Sequence, residues 1–207
     1  MIKRIAVEYH KHPNFFGCWN LENDSLCDGI VEFFEKNQTK QRPGVSGIGA
    51  LDTSTKSSTD VSIRPKDLEQ ESHQVLAQYM EKLNECFFDY LEQWDFLKGF
   101  LDRVHIGKFN IQKYDSGGHF NTIHSERTNI ISLQRILVWM TYLNEVPDGG
   151  ETEFPFYGLK VTPEKGKTLI WPAEWTHAHR GTIVKQGPKF IITGWMHFPD
   201  DEDGETP

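Results

Sequence analysis

From Val104 onward the chain is punctuated by turn-forming runs, and this constrains its fold more than any other feature. Asp115-Ser116-Gly117-Gly118, Pro147-Asp148-Gly149-Gly150 and Gln186-Gly187-Pro188 are such runs. The segments between them are short and apolar or alternating: VHIGKFNIQKY at 104–114, then Ile130–Leu143, ETEFPF, LKVTP and KGKTLIWP. In the first of these, Phe109, Ile111 and Lys113 face one way, and Asn110, Gln112 and Tyr114 face the other. Turn signals roughly every 8–12 residues indicate an antiparallel sandwich or barrel. The polar face ending in Tyr114 is expected to look into a pocket.

The first half reads differently. Residues 3–9 (KRIAVEY) suit a first strand. Asn23-Asp24-Ser25 supplies N-caps ahead of LCDGIVEFFEKNQ, where Leu26, Ile30, Phe33 and Phe34 recur at helical spacing. Residues 39–58 have no sustained period and read as a loop with a short strand at Val45–Ala50, either a surface connection or a lid over a pocket. Thr59–Ile63 alternates as a short strand. Residues 67–100 read as helix, with a core-facing stripe of Leu76, Tyr79, Met80, Leu83, Phe87, Tyr90, Leu91 and Trp94.

The 207 residues suffice for one well-buried core and show no linker or repeat. The expected organisation is one domain over 1–207, with a helical part at about 1–103 and a β core at about 104–199. A net charge of −8 argues against a general nucleic-acid or membrane-surface binder. Three cysteines without a Cys-x-x-Cys pair favour a reducing compartment. No run is long and apolar enough for a signal peptide or a membrane span, so a cytoplasmic location is expected. The acidic tail 200–207 is given no role, and oligomeric state is not legible.

The chemistry is concentrated between Tyr114 and Trp195. His124 and Glu126 stand two apart, so an extended chain presents both side chains together. His179, on a later segment, supplies a third ligand. Two histidines and a carboxylate suit a non-haem Fe(II) centre that keeps positions open for a cosubstrate and O2. His177 competes with His179 on the same face. Lys189 lies among Phe190, Ile191 and Ile192; a lysine facing into an apolar barrel requires an anion, and a five-carbon diacid supplies one.

Over about 80 residues, Tyr114 to Trp195, this sequence resembles the catalytic core of prolyl-4-hydroxylase-type 2-oxoglutarate oxygenases. The resemblance is carried by Tyr114 ten residues before His124, by Tyr142-Leu143-Asn144, and by Gly149-Gly150-Glu151-Thr152-Glu153-Phe154. His179-Arg180-Gly181 and Lys189, ten residues beyond His179, complete it. That spacing and Gly181 select His179 over His177. The resemblance implies a double-stranded β-helix (jelly-roll, cupin-like) core packed against N-terminal helices. It also implies Fe(II), 2-oxoglutarate and O2, with ascorbate binding as in prolyl hydroxylases.

His124, Glu126 and His179 would hold the metal, and Lys189 and Tyr142 the distal carboxylate of the cosubstrate. Tyr114, Asn110, Gln112, Met140 and Thr193 would line the rest of that pocket. Arg135, where several prolyl hydroxylases carry a substrate-side arginine, and Trp195 would meet substrate at the mouth. The family's usual first pair is His-x-Asp, and here it is His-x-Glu. Glu126 keeps the carboxylate that related halogenases lose, which favours oxygen chemistry. The expected reaction is hydroxylation of a peptidyl proline or an amino acid, with release of succinate and CO2. The rivals are a halogenase, desaturase or demethylase acting on a small molecule, and a non-enzymatic jelly-roll metal-binding module.

Overall fold

A computed structural model describes residues 2–5, 14–46 and 51–199. Its frame is a large antiparallel sheet. In spatial order the strands are Lys3–Arg4, Gly17–Asn20, Lys167–Pro172, Arg135–Tyr142, Lys189–His197, Phe109–Tyr114, Thr59–Ile63 and Arg42–Pro43. Facing it is a smaller sheet ordered Leu159–Val161, Thr152–Phe154, His179–Gly181, His119–His124 and Lys56–Ser57. Phe109–Tyr114 of the large sheet is followed by His119–His124 of the smaller one, and the turn at Asp115–Gly118 carries the chain across. This is the expected β-helix core.

Period-two alternation sorts each strand between two cores. From Arg135–Tyr142, Leu137 and Trp139 point to one side, while Val138, Met140 and Tyr142 enter the space between the sheets. From Lys189–His197, Phe190 and Ile192 take the first side and Ile191 the second. Two helices cover the first side, α1 (Asp24–Lys36) and α2 (Gln74–Gln93). The Asn23 side chain accepts from the Leu26 amide at 3.1 Å and caps α1. Leu26, Ile30, Phe33 and Phe34 are buried as the spacing predicts, and α2 contributes Leu76, Tyr79, Leu83, Phe87, Tyr90 and Leu91. One polar pin crosses this interface: the Tyr79 hydroxyl meets Thr141 at 2.8 Å, and Thr141 meets Thr168 at 2.7 Å.

Several boundaries differ from the sequence reading. The helix expected over 67–100 is regular only over Gln74–Gln93, with single 3-10 turns at Pro65–Glu69, Glu71–His73 and Asp95–Gly99. The strand expected over 104–114 breaks at Gly107-Lys108 into His105–Ile106 and Phe109–Tyr114. Gly107 lies against the His197 ring, and a Cβ there would come within 2.7 Å of it. The strand expected over Ile130–Leu143 begins only at Arg135, after a 3-10 turn at Ile130–Ser132. Of the strand expected over 3–9, Lys3–Arg4 is present, and 6–13 lie outside the described residues, as do 47–50 of Val45–Ala50. The region 39–58 is more than a surface loop. Arg42–Pro43 and Lys56–Ser57 add edge strands to the two sheets, and Lys56 is buried. All three cysteines are free and buried.

Candidate metal centre and cosubstrate cavity

The two sheets splay apart around a cavity of about 1010 Å³. His124 ends one strand of the smaller sheet, His179 begins its neighbour, and the register places the two residues directly opposite each other. Glu126 lies just past the strand end and turns back toward them. Its Oε1 is 3.6 Å from His124 Nε2 and 3.5 Å from His179 Nε2. One ligand atom from each residue lies within 4.8 Å of the other two.

The hydrogen bonds of the imidazoles decide what this cluster can hold. His124 Nδ1 lies 2.8 Å from the Thr122 carbonyl, and His179 Nδ1 lies 3.0 Å from the His177 carbonyl. A carbonyl only accepts, so each Nδ1 carries a proton, and each Nε2 is the ring atom left facing Glu126. Burial, with His124 alongside, pushes the His179 pKa down to about 4, which keeps that ring neutral. Burial alone would raise the Glu126 carboxyl, but His124, His179 and Arg135 outweigh it and bring it to about 2. Two imidazole nitrogens and a carboxylate oxygen thus converge on one point, an arrangement that a divalent cation satisfies once the nitrogens give up any proton. The residues fit a mononuclear Fe(II) site with one face open.

Phe120 stacks on His124 at 3.7 Å between centroids, and Phe154 and Trp171 pack on His179 at 5.4 and 5.0 Å. These rings restrict both imidazoles to one orientation. His177, the competing histidine, turns away from the cavity; its Nε2 meets the Asn14 carbonyl at 2.8 Å.

Deeper in the cavity stands Lys189, which is 2% exposed. Its ammonium donates to the Gly150 carbonyl at 2.9 Å and lies 4.6 Å from the centre of the Tyr114 ring. The Gly149-Gly150 turn, with φ of 79° and 73°, aims that carbonyl. A Cβ on Gly149 would sit 2.2 Å from the Ile183 oxygen. Among the described residues no carboxylate pairs with Lys189, and burial lowers its pKa to about 8. This is a cation built into an apolar wall to meet an anion.

The expected lining residues divide. Asn110, Gln112, Tyr114, Met140 and Thr193 all reach the cavity. Tyr142 does not: its hydroxyl donates to Thr152 Oγ1 at 2.6 Å inside the core, and Thr152 takes its place on the wall. Arg135 and Trp195 line the cavity, but both are engaged with Glu126. Trp195 Nε1 donates to Glu126 Oε2 at 2.9 Å, and Arg135 Nη1 donates to the Glu126 carbonyl at 3.0 Å. The Arg135 guanidinium lies 3.7 Å from the centre of the Trp195 ring. The Glu126 carboxylate and backbone are therefore held on one side by an indole and an arginine.

Sequence reasoning missed Lys56 and Asp60. They form a buried ion pair at 2.8 Å beside the cavity. Asp60 accepts from Gln112 at 3.2 Å, and Tyr114 donates to Gln112 at 2.7 Å. The signal was present in Thr59–Ile63: Val61 and Ile63 alternate into the core, which leaves Asp60 on the face shared with Gln112.

Residues 109–197 match the model of the 2OG-Fe(II) oxygenase superfamily. This span holds all three candidate metal ligands and Lys189. Over this span the chain is similar to 2OG-Fe(II) oxygenases, and the curated relatives it matches are prolyl 4-hydroxylases. Probable prolyl 4-hydroxylase 9 of Arabidopsis thaliana is 30% identical over 129 residues, which cover 50% of this chain and 45% of that protein. Prolyl 4-hydroxylase 13 of the same plant is 26% identical over 210 residues, covering 89% of this chain and 71% of that protein. The chain thus spans less than half of the first relative's length.

Two solved structures share the fold. One is the viral collagen prolyl hydroxylase of Paramecium Bursaria Chlorella virus-1 in its 2OG complex, with TM-score 0.66, 18% identity, and coverage of 90% of this chain and 98% of that one. The other is a Trichoplax adhaerens prolyl hydroxylase in complex with a hypoxia inducible factor oxygen degradation domain peptide fragment. It has TM-score 0.70 and 15% identity, covering 94% of this chain and 89% of that one.

Proposed function

We propose that this chain is an Fe(II)- and 2-oxoglutarate-dependent dioxygenase that hydroxylates a prolyl residue in a peptide. The observation that carries this reading is the pairing of two sites in one cavity. His124 Nε2, His179 Nε2 and the Glu126 carboxylate converge on its wall, and Lys189 stands buried in the same wall. When bound, Fe(II) and 2-oxoglutarate supply the oxidising power: O2 and the diacid are consumed, succinate and CO2 leave, and one substrate C–H becomes C–OH.

The protein's own residues do the rest. Lys189 binds the far carboxylate of the diacid in place of its present contact with the Gly150 carbonyl. Tyr114, Met140, Ile191 and Thr193 hold the carbon chain and keep water from the charged pair. Phe120, Phe154 and Trp171 keep both imidazoles in one orientation, and Trp195 and Arg135 keep Glu126 turned toward them. The peptide relatives support a peptide as substrate, and proline is the residue named in their activities.

Anaerobic addition of Fe(II) and then 2-oxoglutarate to metal-free protein tests the reading. A visible charge-transfer band is expected in the wild type, absent in His124→Ala and His179→Ala and weakened in Lys189→Ala. Mass analysis of proline-containing peptides then identifies the product. Failure of the wild type to bind Fe(II) would leave the site as a jelly-roll relic without this chemistry.

A further inference from the structure

The whole chain carries 22 basic and 30 acidic residues, yet its cavity has the opposite balance. Seven Lys or Arg residues line it against three carboxylates. Each carboxylate is already committed: Asp60 to Lys56, Asp67 to Arg64, and Glu126 to the metal cluster and Arg135. Lys189 is set aside for the cosubstrate. Lys40, Arg42 and Lys108 remain, all exposed, and among the described residues no acidic side chain pairs with any of them.

The register gathers much of this charge at one end of the large sheet. Ile63 pairs with Phe109, which sets Arg64 beside Lys108. Arg42 pairs with Asp60, so the chain preceding it, with Lys40, runs toward that same end. Arg135, opposite His197, begins its strand there as well. Across the mouth, the 3-10 turn Ile130–Ser132 exposes Ile130 and Ile131 to 85% and 88%, and Ile131 lines the cavity. The cavity, at about 1010 Å³, is far larger than a five-carbon diacid needs.

We propose, on the basis of the oxygenase reading above, that the substrate is an acidic peptide. Carboxylates flanking the oxidised residue meet Lys40, Arg42 and Lys108, and an apolar side chain covers Ile130 and Ile131. In a chain of net charge −8, an unneutralised basic rim at the mouth selects anionic ligands and steers them inward. A peptide fits better than a nucleic acid. The half-buried rings on the cavity wall are already engaged, Trp195 by the Arg135 guanidinium and Phe120 by His124, and the exposed apolar side chains there, Val45 and Ile131, are aliphatic.

Fluorescence anisotropy with two labelled proline-containing peptides tests this, using protein loaded with Mn(II) and 2-oxoglutarate. One peptide carries aspartates around the proline and the other asparagines at the same positions. The acidic peptide should bind on the order of tenfold more tightly at low salt, and the gap should close as salt rises. A Lys40→Glu/Arg42→Glu/Lys108→Glu variant should lose that preference while retaining 2-oxoglutarate binding. Equal binding of the two peptides, or a preference untouched by the variant, would overturn the inference. So would an unstructured oligonucleotide that competes as well as the acidic peptide. Titration of 2-oxoglutarate into the same samples is a separate readout. Its failure would overturn the oxygenase reading, whereas intact 2-oxoglutarate binding without acidic preference overturns the acidic-substrate inference alone.

Discussion

Replacing Lys189 with methionine should stabilise the metal-free protein while destroying its cosubstrate site. The ammonium is 2% exposed, with one carbonyl and one aromatic ring as neighbours. Burial lowers its pKa from 10.5 to about 8, and at 1.36 kcal/mol per pKa unit this fall corresponds to about 3 kcal/mol held against the folded state. Below pH 8 both folded and unfolded chains carry the proton, so that cost is present in full. Between pH 8 and 10.5 the unfolded chain binds more protons than the folded one, and stability rises with pH until the cost has gone.

Methionine fills similar volume without the charge, so Lys189→Met removes most of the cost, less the Gly150 hydrogen bond. For a chain of this size, ~2–3 kcal/mol raises Tm by roughly 4–12 °C at pH 7. Melting followed by circular dichroism, without metal, is the assay. The gain should shrink from pH 8 toward pH 10. With Mn(II) present throughout, added 2-oxoglutarate should raise the Tm of the wild type further and that of the variant much less. A variant that melts at or below the wild type at pH 7, or that responds to 2-oxoglutarate as fully as the wild type, would refute the reasoning.

The Glu126 dock makes its own prediction: Trp195→Phe removes the 2.9 Å hydrogen bond but keeps a ring, and should weaken Mn(II) affinity about 10-fold in a calorimetric titration with the fold unchanged. Glu126→Asp, one methylene shorter, should cost at least as much affinity, and in this background Trp195→Phe should add little further loss. Tyr79→Phe leaves Thr141 without its outer partner and should cost about 1–2 kcal/mol in urea unfolding without altering metal affinity. Burial pushes the Cys18 thiol up to about 12 and Cys27 to about 11, so native protein should react with a thiol reagent only on unfolding, while a native burst would contradict their burial.

The β core, the helical cover and the chemistry of His124, Glu126, His179 and Lys189 could be read from the chain because each depends on local pattern. Alternation marks which strand face is inward, and fixed spacing keeps two ligands on one strand end. Tyr142 was misplaced because a motif specifies that a tyrosine is present, whereas the direction of its hydroxyl depends on Thr152, ten residues away on the opposite sheet. Lys56 was hidden because residues 39–58 have no period, whereas the alternation of Thr59–Ile63 does place Asp60; their meeting comes from edge pairing with strands distant in sequence.

Arg135 and Trp195 were expected to face substrate at the mouth. The sequence carries no sign that they converge on Glu126 from two adjacent strands, since a 2.9 Å contact between residues 69 positions apart exists only after the sheet has closed. The sequence by itself determined the donor atoms and the strand faces that carry them. Tertiary structure alone decided which ring nitrogens face Glu126, which carboxylate is held and where the uncompensated cations gather, because each depends on distance across the two sheets.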